Sequence, residues 1–328
     1  MRVLALAALA LLLRFVVIPQ FVDAGHDIHA IQHLSPWPLL LGLALELASL
    51  AAYGALTFTV LDPRDRPTFG TVTRVDLAGV ATTNVVPAGG AIALAVRYRL
   101  LARAGSSAST IVGGLAVEVI MSNLLLGGVF ALGLLLSLAS LPPSPYYQVA
   151  GAFMVVIFGG AAVALAVAVR RRSRVLSTVH RATRRLPESW RERILTFVDD
   201  AVGNVAALAV DRRRFVTAVF WGALNPILDA AALWVLLTAF GYAADPGQLL
   251  LVYGLVGILA IVPITPGGLG VVEGVMVPLL VALGASYQTA LLGVIAWRLL
   301  QFWMPMPLGA LSAVSLLAWP NRPRRSTR

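Results

Sequence analysis

The sequence has no cysteine and no lysine, and few of its residues carry a charge. Without cysteine the chain has no disulfide framework, no thiolate metal site and no cysteine nucleophile. Charged residues make up 12% of the 328 residues, against roughly a quarter in soluble domains, and 59% are hydrophobic. A soluble fold of this length cannot bury so much apolar surface. Composition therefore excludes a soluble enzyme, a disordered chain and a coiled coil, and it predicts a polytopic membrane protein.

All 25 basic residues are arginines, and the net charge is +10. In a soluble protein this charge would suggest nucleic acid, but here its distribution follows membrane topology, and we expect no nucleic-acid partner. The loops 19–36, 139–146, 241–248 and 284–287 contain no arginine. The positive-inside rule places the arginine-rich loops on the other side, in the cytosol.

Six apolar segments are candidates for full spans, each of which needs about 20 residues. The first segment resembles a signal peptide, but no small-x-small cleavage site follows cleanly, and we interpret it as an uncleaved span. The six segments are 3–18, 38–61, 109–138, 147–169, 215–240 and 290–317.

Two further apolar segments, 77–96 and 249–283, are broken by proline and glycine. Arg74 and Arg97 flank the first one and must lie on the same face, so we predict a re-entrant hairpin entering from the cytosol. By parity the second enters from outside. The predicted fold is an all-α polytopic membrane protein of about six full transmembrane helices plus two re-entrant, Pro/Gly-broken helical hairpins, with both termini cytosolic.

The two broken segments align without a gap at an offset of 179 residues, which pairs Pro87 with Pro266 and Gly89 with Gly268. Opposite insertion of two such copies is an inverted-topology repeat, a signature of many transporters. The alternative is that proline and glycine merely kink two spans. We divide the single integral membrane domain, 1–328, into a first repeat half 67–145, a basic cytosolic connector 170–214, a second repeat half 246–318 and a basic cytosolic tail 319–328.

The connector holds twelve arginines, five acidic residues and one histidine. It is long enough for one or two amphipathic helices. Because basic segments beside a membrane bind anionic lipid headgroups, we expect the connector to lie on the cytosolic membrane surface.

The motif Pro263-x-Thr265-Pro266-Gly267-Gly268-Leu269-Gly270-x-x-Glu273-Gly274 resembles the signature of the flippase-like transmembrane family. That family includes the membrane region of the bifunctional lysylphosphatidylglycerol synthase/flippase. The motif Asn84-x-x-Pro87-x-Gly89-Gly90 is similar to its counterpart in the first half, although many relatives carry Arg and Glu where this chain has Ala88 and Gly90. The resemblance runs from about 39 to 315, and we expect a stand-alone form without the soluble synthase domain.

The resemblance implies a lipid flippase or transporter that moves a polar-headed, anionic or zwitterionic lipid between leaflets of the cell (inner or cytoplasmic) membrane. It implies membrane lipids as partners and does not imply the synthase activity. Since the sequence has no convincing catalytic motif, we expect no enzymatic activity and no cofactor. Two alternatives stay open: a membrane transferase acting on a lipid phosphate, and a non-transporting partner subunit. A homo-oligomer, or a separate lipid-modifying enzyme, is a further candidate partner.

Charges at membrane depth are costly and mark candidate sites. Glu46 is a candidate partner of Arg14 on the neighbouring predicted span. Glu118 and Arg298 follow the two hairpins at nearly equivalent positions, so we expect them to pair near the repeat axis. The alternative is a set of ion pairs that only fix helix packing. The candidate substrate-binding residues are Asn84, Pro87, Gly89, Gly90, Glu118, Asn225, Asp229, Thr265, Pro266, Gly267, Gly268, Glu273 and Arg298.

Two weaker patterns concern metals. His26, His29 and His33 share one helical face beside Asp27 and have ligand chemistry for zinc, but interfacial histidine is the favoured interpretation. Asp199-Asp200 is similar to the acidic pairs of magnesium-dependent prenyl transferases, but without a second acidic motif a solvated helix surface is favoured. We expect no metal site.

The arginine asymmetry predicts the side on which each loop lies. Epitope tags at positions 30, 143 and 244 are expected outside, and tags at 68, 190 and 328 in the cytosol. Protease protection of the tags in sealed vesicles measures this. An external tag at 68 or 100 would contradict the inverted repeat.

Overall fold

The computed structural model describes residues 36–86, 89–137, 156, 158–160, 163, 167, 170–184, 187–261 and 265–318. These residues are almost entirely helical, and no strand occurs among them. The helices are α1 Pro36–Val60, α2 Phe69–Val85, α3 Gly89–Arg103, α4 Ala108–Ser137, α5 Arg172–Ala182, α6 Glu188–Val210, α7 Arg212–Ala239, α8 Pro246–Ala260, α9 Val271–Ala282, α10 Tyr287–Arg298 and α11 Pro305–Ala318.

Within the described residues, four helices are long and apolar enough to cross a membrane. They are α1, α4, α7 and the continuous segment Tyr287–Ala318, in which a π-helical turn joins α10 to α11. These four confirm the predicted spans 38–61, 109–138, 215–240 and 290–317. The predicted span 3–18 and most of 147–169 lie outside the described residues, so the total of six stays a prediction.

The two broken segments form pairs of shorter helices. α2 packs against α3, and α8 packs against α9. The longest of the four, α2, has 17 residues, which is about 26 Å at 1.5 Å per residue and less than the roughly 30 Å hydrocarbon core. Helices of this length are suited to entering and leaving by one face, as the hairpin prediction requires.

The helix boundaries repeat at the 179-residue offset found in the sequence. The corner before α4 and the corner before α10 are built alike: Gly105 and Gly284 both have φ of 103°. The side chain of Ser107 then accepts the N–H of Thr110 (3.4 Å), and that of Ser286 accepts the N–H of Thr289 (3.1 Å). Both helices therefore begin with the same glycine turn and serine N-cap.

The packing of the two halves is reciprocal. α1 packs along α7, α2 along α11, and α4 along α8. At the repeat offset α2 corresponds to α8, and α4 to the segment containing α11. The contacts α2–α11 and α4–α8 are thus equivalent, as expected when two related halves exchange contacts about a common axis.

The amphipathic connector is helical, as predicted. α5 and α6 pack together, and α6 also packs on α4. Arg172 pairs with Asp199 at 2.6 Å, and both side chains are nearly half exposed. Asp199 therefore lies on a solvated surface, which was the favoured interpretation of the acidic pair.

Close packing of α4 on α8 depends on glycine. A Cβ added at Gly133 would overlap the backbone nitrogen of Leu251, whereas one added at Gly128 meets nothing within 4 Å. We expect Gly133→Ala to lower the free energy of unfolding by about 1–3 kcal/mol through overpacking. Gly128→Ala on the same helix is the control and should be neutral or slightly stabilising. Denaturant unfolding in detergent measures both, and equal stabilities would contradict this packing.

Candidate functional site

The second helix break is a tight turn at Pro266–Gly268, between α8 and α9. Gly267 has φ of 53°, in the left-handed region that favours glycine. A Cβ on Gly267 would also overlap the ring of Phe302. Thr265 donates its hydroxyl hydrogen bond to the carbonyl of Leu269 at 2.8 Å, across the turn. Glycine and a local hydroxyl therefore permit and hold the turn.

Arg298, at the end of α10, binds the broken backbone. Its Nη2 donates to the carbonyl of Gly267 at 3.0 Å, and its Nε to Oε1 of Glu273 at 2.7 Å. Nη1 donates to Gln301 at 3.1 Å, and the guanidinium lies 4.5 Å from the ring centroid of Phe302. Arg298 is only 4% exposed, so its charge is balanced by Glu273 rather than by water.

Glu273 serves both the ion pair and the start of α9. Its second oxygen, Oε2, accepts the N–H of Gly270 at 2.7 Å. This contact satisfies one of the free amides at the beginning of the helix and places a negative charge at its positive end. One carboxylate thus joins the guanidinium to the helix start, within two turns of the break.

The first hairpin reaches this break through Asn84, near the end of α2. Its side-chain amide donates to the carbonyl of Phe302 at 3.0 Å. Its Oδ1 would lie 3.2 Å from a Cβ on Gly267. The Asn84 motif and the Gly267 motif are therefore in contact, across two halves of the chain. Phe302 lies in the π-helical turn Leu299–Trp303, a feature often found at functional sites.

The remaining predicted residues of the first motif contribute less. Gly89 begins α3 and packs closely on the backbone of α2: a Cβ there would lie 2.7 Å from Cα of Thr83. Gly90 is exposed, and a Cβ added to it would meet nothing within 4 Å. Pro87 lies outside the described residues.

Asp229 is buried beside the Arg298 cluster. It accepts hydrogen bonds from the indole N–H of Trp297 (2.5 Å) and the hydroxyl of Tyr253 (2.8 Å). Because Trp297 precedes Arg298 in α10, Asp229 fixes the helix that presents the guanidinium. Glu46, on α1, lies beside Asp229 and is 2% exposed. The predicted partner of Glu46, Arg14, lies outside the described residues.

Asn225 binds Ser49 on α1 and is not part of the Arg298 cluster. Its side-chain amide donates to Oγ of Ser49 at 2.8 Å, and the hydroxyl of Ser49 donates back to the carbonyl of Asn225 at 3.1 Å. The pair joins α1 to α7. In the described structure Asn225 is a contact between spans and does not touch Arg298.

The predicted pairing of Glu118 with Arg298 is wrong. Glu118 binds Arg97 at 2.8 Å, and Arg298 binds Glu273 at 2.7 Å. Two residues related by the repeat occupy equivalent positions in different halves of the chain. An equal depth in the membrane therefore does not place Glu118 in contact with Arg298. The structure therefore divides the predicted charged residues between two clusters.

A cluster around Arg97 was missed. Sequence reasoning used Arg97 only as a marker of the cytosolic face, yet it is 4% exposed and also binds Asp76 at 2.7 Å. α3 continues to Arg103, beyond the predicted end of the apolar segment at 96, so Arg97 lies inside the packed helix. Asp76 and Arg97 directly flank a Pro/Gly-broken segment, and that position is the signal that could have revealed them.

Among the described residues, no group of three or more acidic or histidine side chains is arranged to hold a metal ion. His26, His29 and His33, with Asp27, lie outside these residues. The interfacial role that the sequence favours for these histidines therefore stays a prediction.

Comparison with known proteins now defines the family. A model of the family described as "Lysylphosphatidylglycerol synthase TM region" matches residues 2–309. The chain belongs to this family. The match covers nearly the whole chain, as the resemblance of the sequence motifs indicated.

Two relatives of known sequence are each named UPF0104 membrane protein, and both come from Methanothermobacter thermautotrophicus (strain Delta H). Each is 24% identical to the chain, over 135 and 123 residues. The matches cover 41% and 38% of this chain, and 40% and 35% of the relatives. The chain thus matches about two fifths of their length.

The Arg298–Glu273 pair predicts an asymmetric response to mutation. Arg298→Leu alone leaves a buried carboxylate unpaired, and we expect it to cost about 3–5 kcal/mol. Adding Glu273→Met removes that charge and should recover part of the loss, although the Gly267 carbonyl still lacks its donor. Denaturant unfolding in detergent compares the two. A single variant as stable as the wild type would contradict the buried pair.

Proposed function

We propose that this protein moves a polar-headed, anionic or zwitterionic membrane lipid between leaflets, through a cavity that opens between its two repeat halves. The observation that carries the proposal is the buried guanidinium of Arg298 at a helix break, where Asn84 of α2 lies beside the Gly267 turn. Transporters with inverted repeats place their sites at such broken helices near the midplane. In this proposal the chain carries out no catalytic step.

Arg298 has the chemistry for a lipid phosphate. A guanidinium is planar and binds two oxygens of one phosphate at once. Two of its three present acceptors are side chains, Glu273 and Gln301, and side chains can turn away when a phosphate arrives. The third, the Gly267 carbonyl, keeps the guanidinium anchored during the exchange. A zwitterionic headgroup would also offer a cation to Glu273.

The described conformation is closed around this site, because Arg298 is 4% and Asp229 8% exposed. Transport therefore requires the interface between the halves to open on one side at a time. The short hairpins are the natural moving parts, since α2 and α9 are shorter than the spans around them. Reciprocal contacts α2–α11 and α4–α8 provide two equivalent interfaces, one for each opening.

The proposal includes the predicted topology. The two halves would insert in opposite senses in the inner membrane, with both termini in the cytosol. The connector 170–214 would lie on anionic headgroups of the cytosolic leaflet, where its arginines are attracted to the surface. A homo-oligomer or a lipid-modifying enzyme remains a candidate partner.

A second candidate is a non-transporting membrane subunit. It is favoured by one observation: every nitrogen of the Arg298 guanidinium already has an acceptor within the protein. In that case the cluster would only fix the break, and the connector would carry the interaction with a partner.

A leaflet-specific assay separates the two. Purified protein in vesicles that contain labelled phosphatidylglycerol should move the label between leaflets. The Arg298→Leu/Glu273→Met protein should insert but move it at least tenfold more slowly, because a site without its guanidinium loses a charged hydrogen bond worth about 1.5–3 kcal/mol. Arg172→Gln, at an exposed ion pair, is the control. Wild-type vesicles without movement, or a fully active double variant, would contradict the proposed site.

The tight turn at the break predicts a second effect. Gly268 has φ of 70°, and a Cβ there would lie 3.0 Å from a methyl group of Val272. Gly268→Val should therefore distort the break and abolish lipid movement while membrane insertion is retained. Gly274→Val, at an exposed helical position with open space, is the matched control. Normal movement with Gly268→Val would indicate a merely kinked span.

A further inference from the structure

A second buried cluster lies between α1, α2, α3 and α4, and the function proposed above does not use it. Arg97 donates to Oδ1 of Asp76 at 2.7 Å and to Oε2 of Glu118 at 2.8 Å. It also donates to the hydroxyls of Tyr53 and Thr57, each at 3.2 Å. The three charged side chains are only 3% (Asp76), 5% (Arg97) and 2% (Glu118) exposed.

The chain is shaped around this arginine. Gly79, one turn after Asp76 on α2, leaves room for the Arg97 stem: a Cβ there would lie 2.6 Å from Cδ of Arg97. Tyr53 presents its ring 5.6 Å from the guanidinium carbon. The cluster is therefore a built site, held from four helices, rather than an accidental contact.

The charges of the cluster do not balance. With both acids ionised, Asp76 and Glu118 together carry two negative charges against the single positive charge of Arg97. An excess buried charge without compensation is costly in a low-dielectric interior. The first cluster therefore has a place for one more positive charge.

One carboxylate oxygen of the cluster is available to bind that positive charge. Oδ2 of Asp76 is buried and has no hydrogen-bond partner among the described residues. Both oxygens of Glu118 are engaged, Oε2 by Arg97 and Oε1 by Ser122 at 3.3 Å. A hard metal cation needs several oxygen ligands, whereas a proton needs only one free carboxylate oxygen. Oδ2 of Asp76 provides that single oxygen.

We propose that Asp76 binds one exchangeable proton at Oδ2 and that this proton is coupled to the lipid movement proposed above. On binding, a proton from water forms an O–H bond to Oδ2, and the cluster changes from one net negative charge to neutral. The coupling half of the proposal rests on the proposed transport function. The proton site itself does not.

α2 provides the mechanical link. Asp76 and Asn84 lie eight residues apart on this helix, about 80° apart around its axis. Asn84 holds the carbonyl of Phe302 at the other helix break. A change in the attraction between Asp76 and Arg97 therefore acts on the helix that touches the Arg298 site, about 12 Å away along its axis.

Among the described residues, the polar and charged groups that face Asp76 come from three helices. α1 contributes Tyr53 and Thr57, α3 contributes Arg97, and α4 contributes Glu118. α11 also packs on α2, and its sequence contains no ionisable side chain. Glu118 is thus the one other acid in the described cluster, and it supplies the sharpest control.

Infrared difference spectroscopy of the protein in lipid nanodiscs tests the proton site. The wild type should show the carbonyl stretch of a protonated carboxylic acid that disappears as pH rises, in addition to any band of the neighbouring Glu46–Asp229 pair. Asp76→Asn should lose this band. Glu118→Gln leaves a balanced Asp76–Arg97 pair and should lose the band as well, or show it only at much lower pH. Asp199→Asn, on the exposed surface, is the control and should retain it.

Two results would overturn the proton site. The first is a wild type without a titrating carboxylic band. The second is a set of titrating carboxylic bands that is unchanged in Asp76→Asn, because the exchangeable proton would then lie on another carboxyl group, such as Glu46, which also has a buried oxygen without a partner among the described residues.

Vesicles with a pH gradient test the coupling. With one proton moved per lipid, each unit of pH difference should drive up to about tenfold lipid asymmetry, and Asp76→Asn should move lipid without responding to the gradient. A wild type that moves lipid equally with and without a gradient would overturn the coupling. If the wild type moves no lipid at all, the transport function fails, and the infrared result still decides the proton site.

Discussion

The structure depends on how a broken backbone is satisfied at membrane depth. A helix break leaves N–H and C=O groups free, and in a bilayer no water is present to bind them, so the protein must supply partners. Here Arg298 binds the Gly267 carbonyl and Glu273 binds the Gly270 amide, while the two side chains bind one another. One ion pair thus supplies hydrogen-bond partners to the free backbone groups at the break.

This arrangement explains why charge, glycine and aromatic residues occur together. Gly267 lets the chain approach Phe302, and Phe302 covers the guanidinium. The π-helical turn that carries Phe302 presents its carbonyl to Asn84. Each of these residues makes a local contact that the break requires. Together they place the Arg298 guanidinium at the contact between two halves of the chain.

Part of this organisation follows from sequence alone. Apolar length predicted four spans that the structure contains, because each continuous apolar run needs only a count of residues. The Pro-x-Thr-Pro-Gly-Gly motif predicted the break, since proline and glycine constrain the backbone wherever they occur. The 179-residue offset also aligns Gly105 with Gly284, and the structure shows the same positive-φ corner at both.

Side-chain partners did not follow from sequence. Glu118 lies at the right depth for Arg298, but which arginine it meets depends on how α3 and α4 are rotated about their axes. The apolar segment ends one residue before Arg97, and hydropathy therefore predicted that Arg97 lies at the membrane surface. In the structure the helix continues to Arg103. Asn225, placed in the site by its spacing from Asp229, instead binds Ser49. Such choices are made by tertiary packing, which periodicity does not encode.

The proposed transport requires the break at Pro266–Gly268 to line a site that is reached from each side of the membrane in turn. The chain has no native cysteine, so Thr265→Cys gives a single reporter at this break. We expect a membrane-impermeant maleimide to label it from either face of oriented vesicles, with lipid substrate changing the two rates in opposite directions. Labelling from one face only, or from neither, would contradict the account.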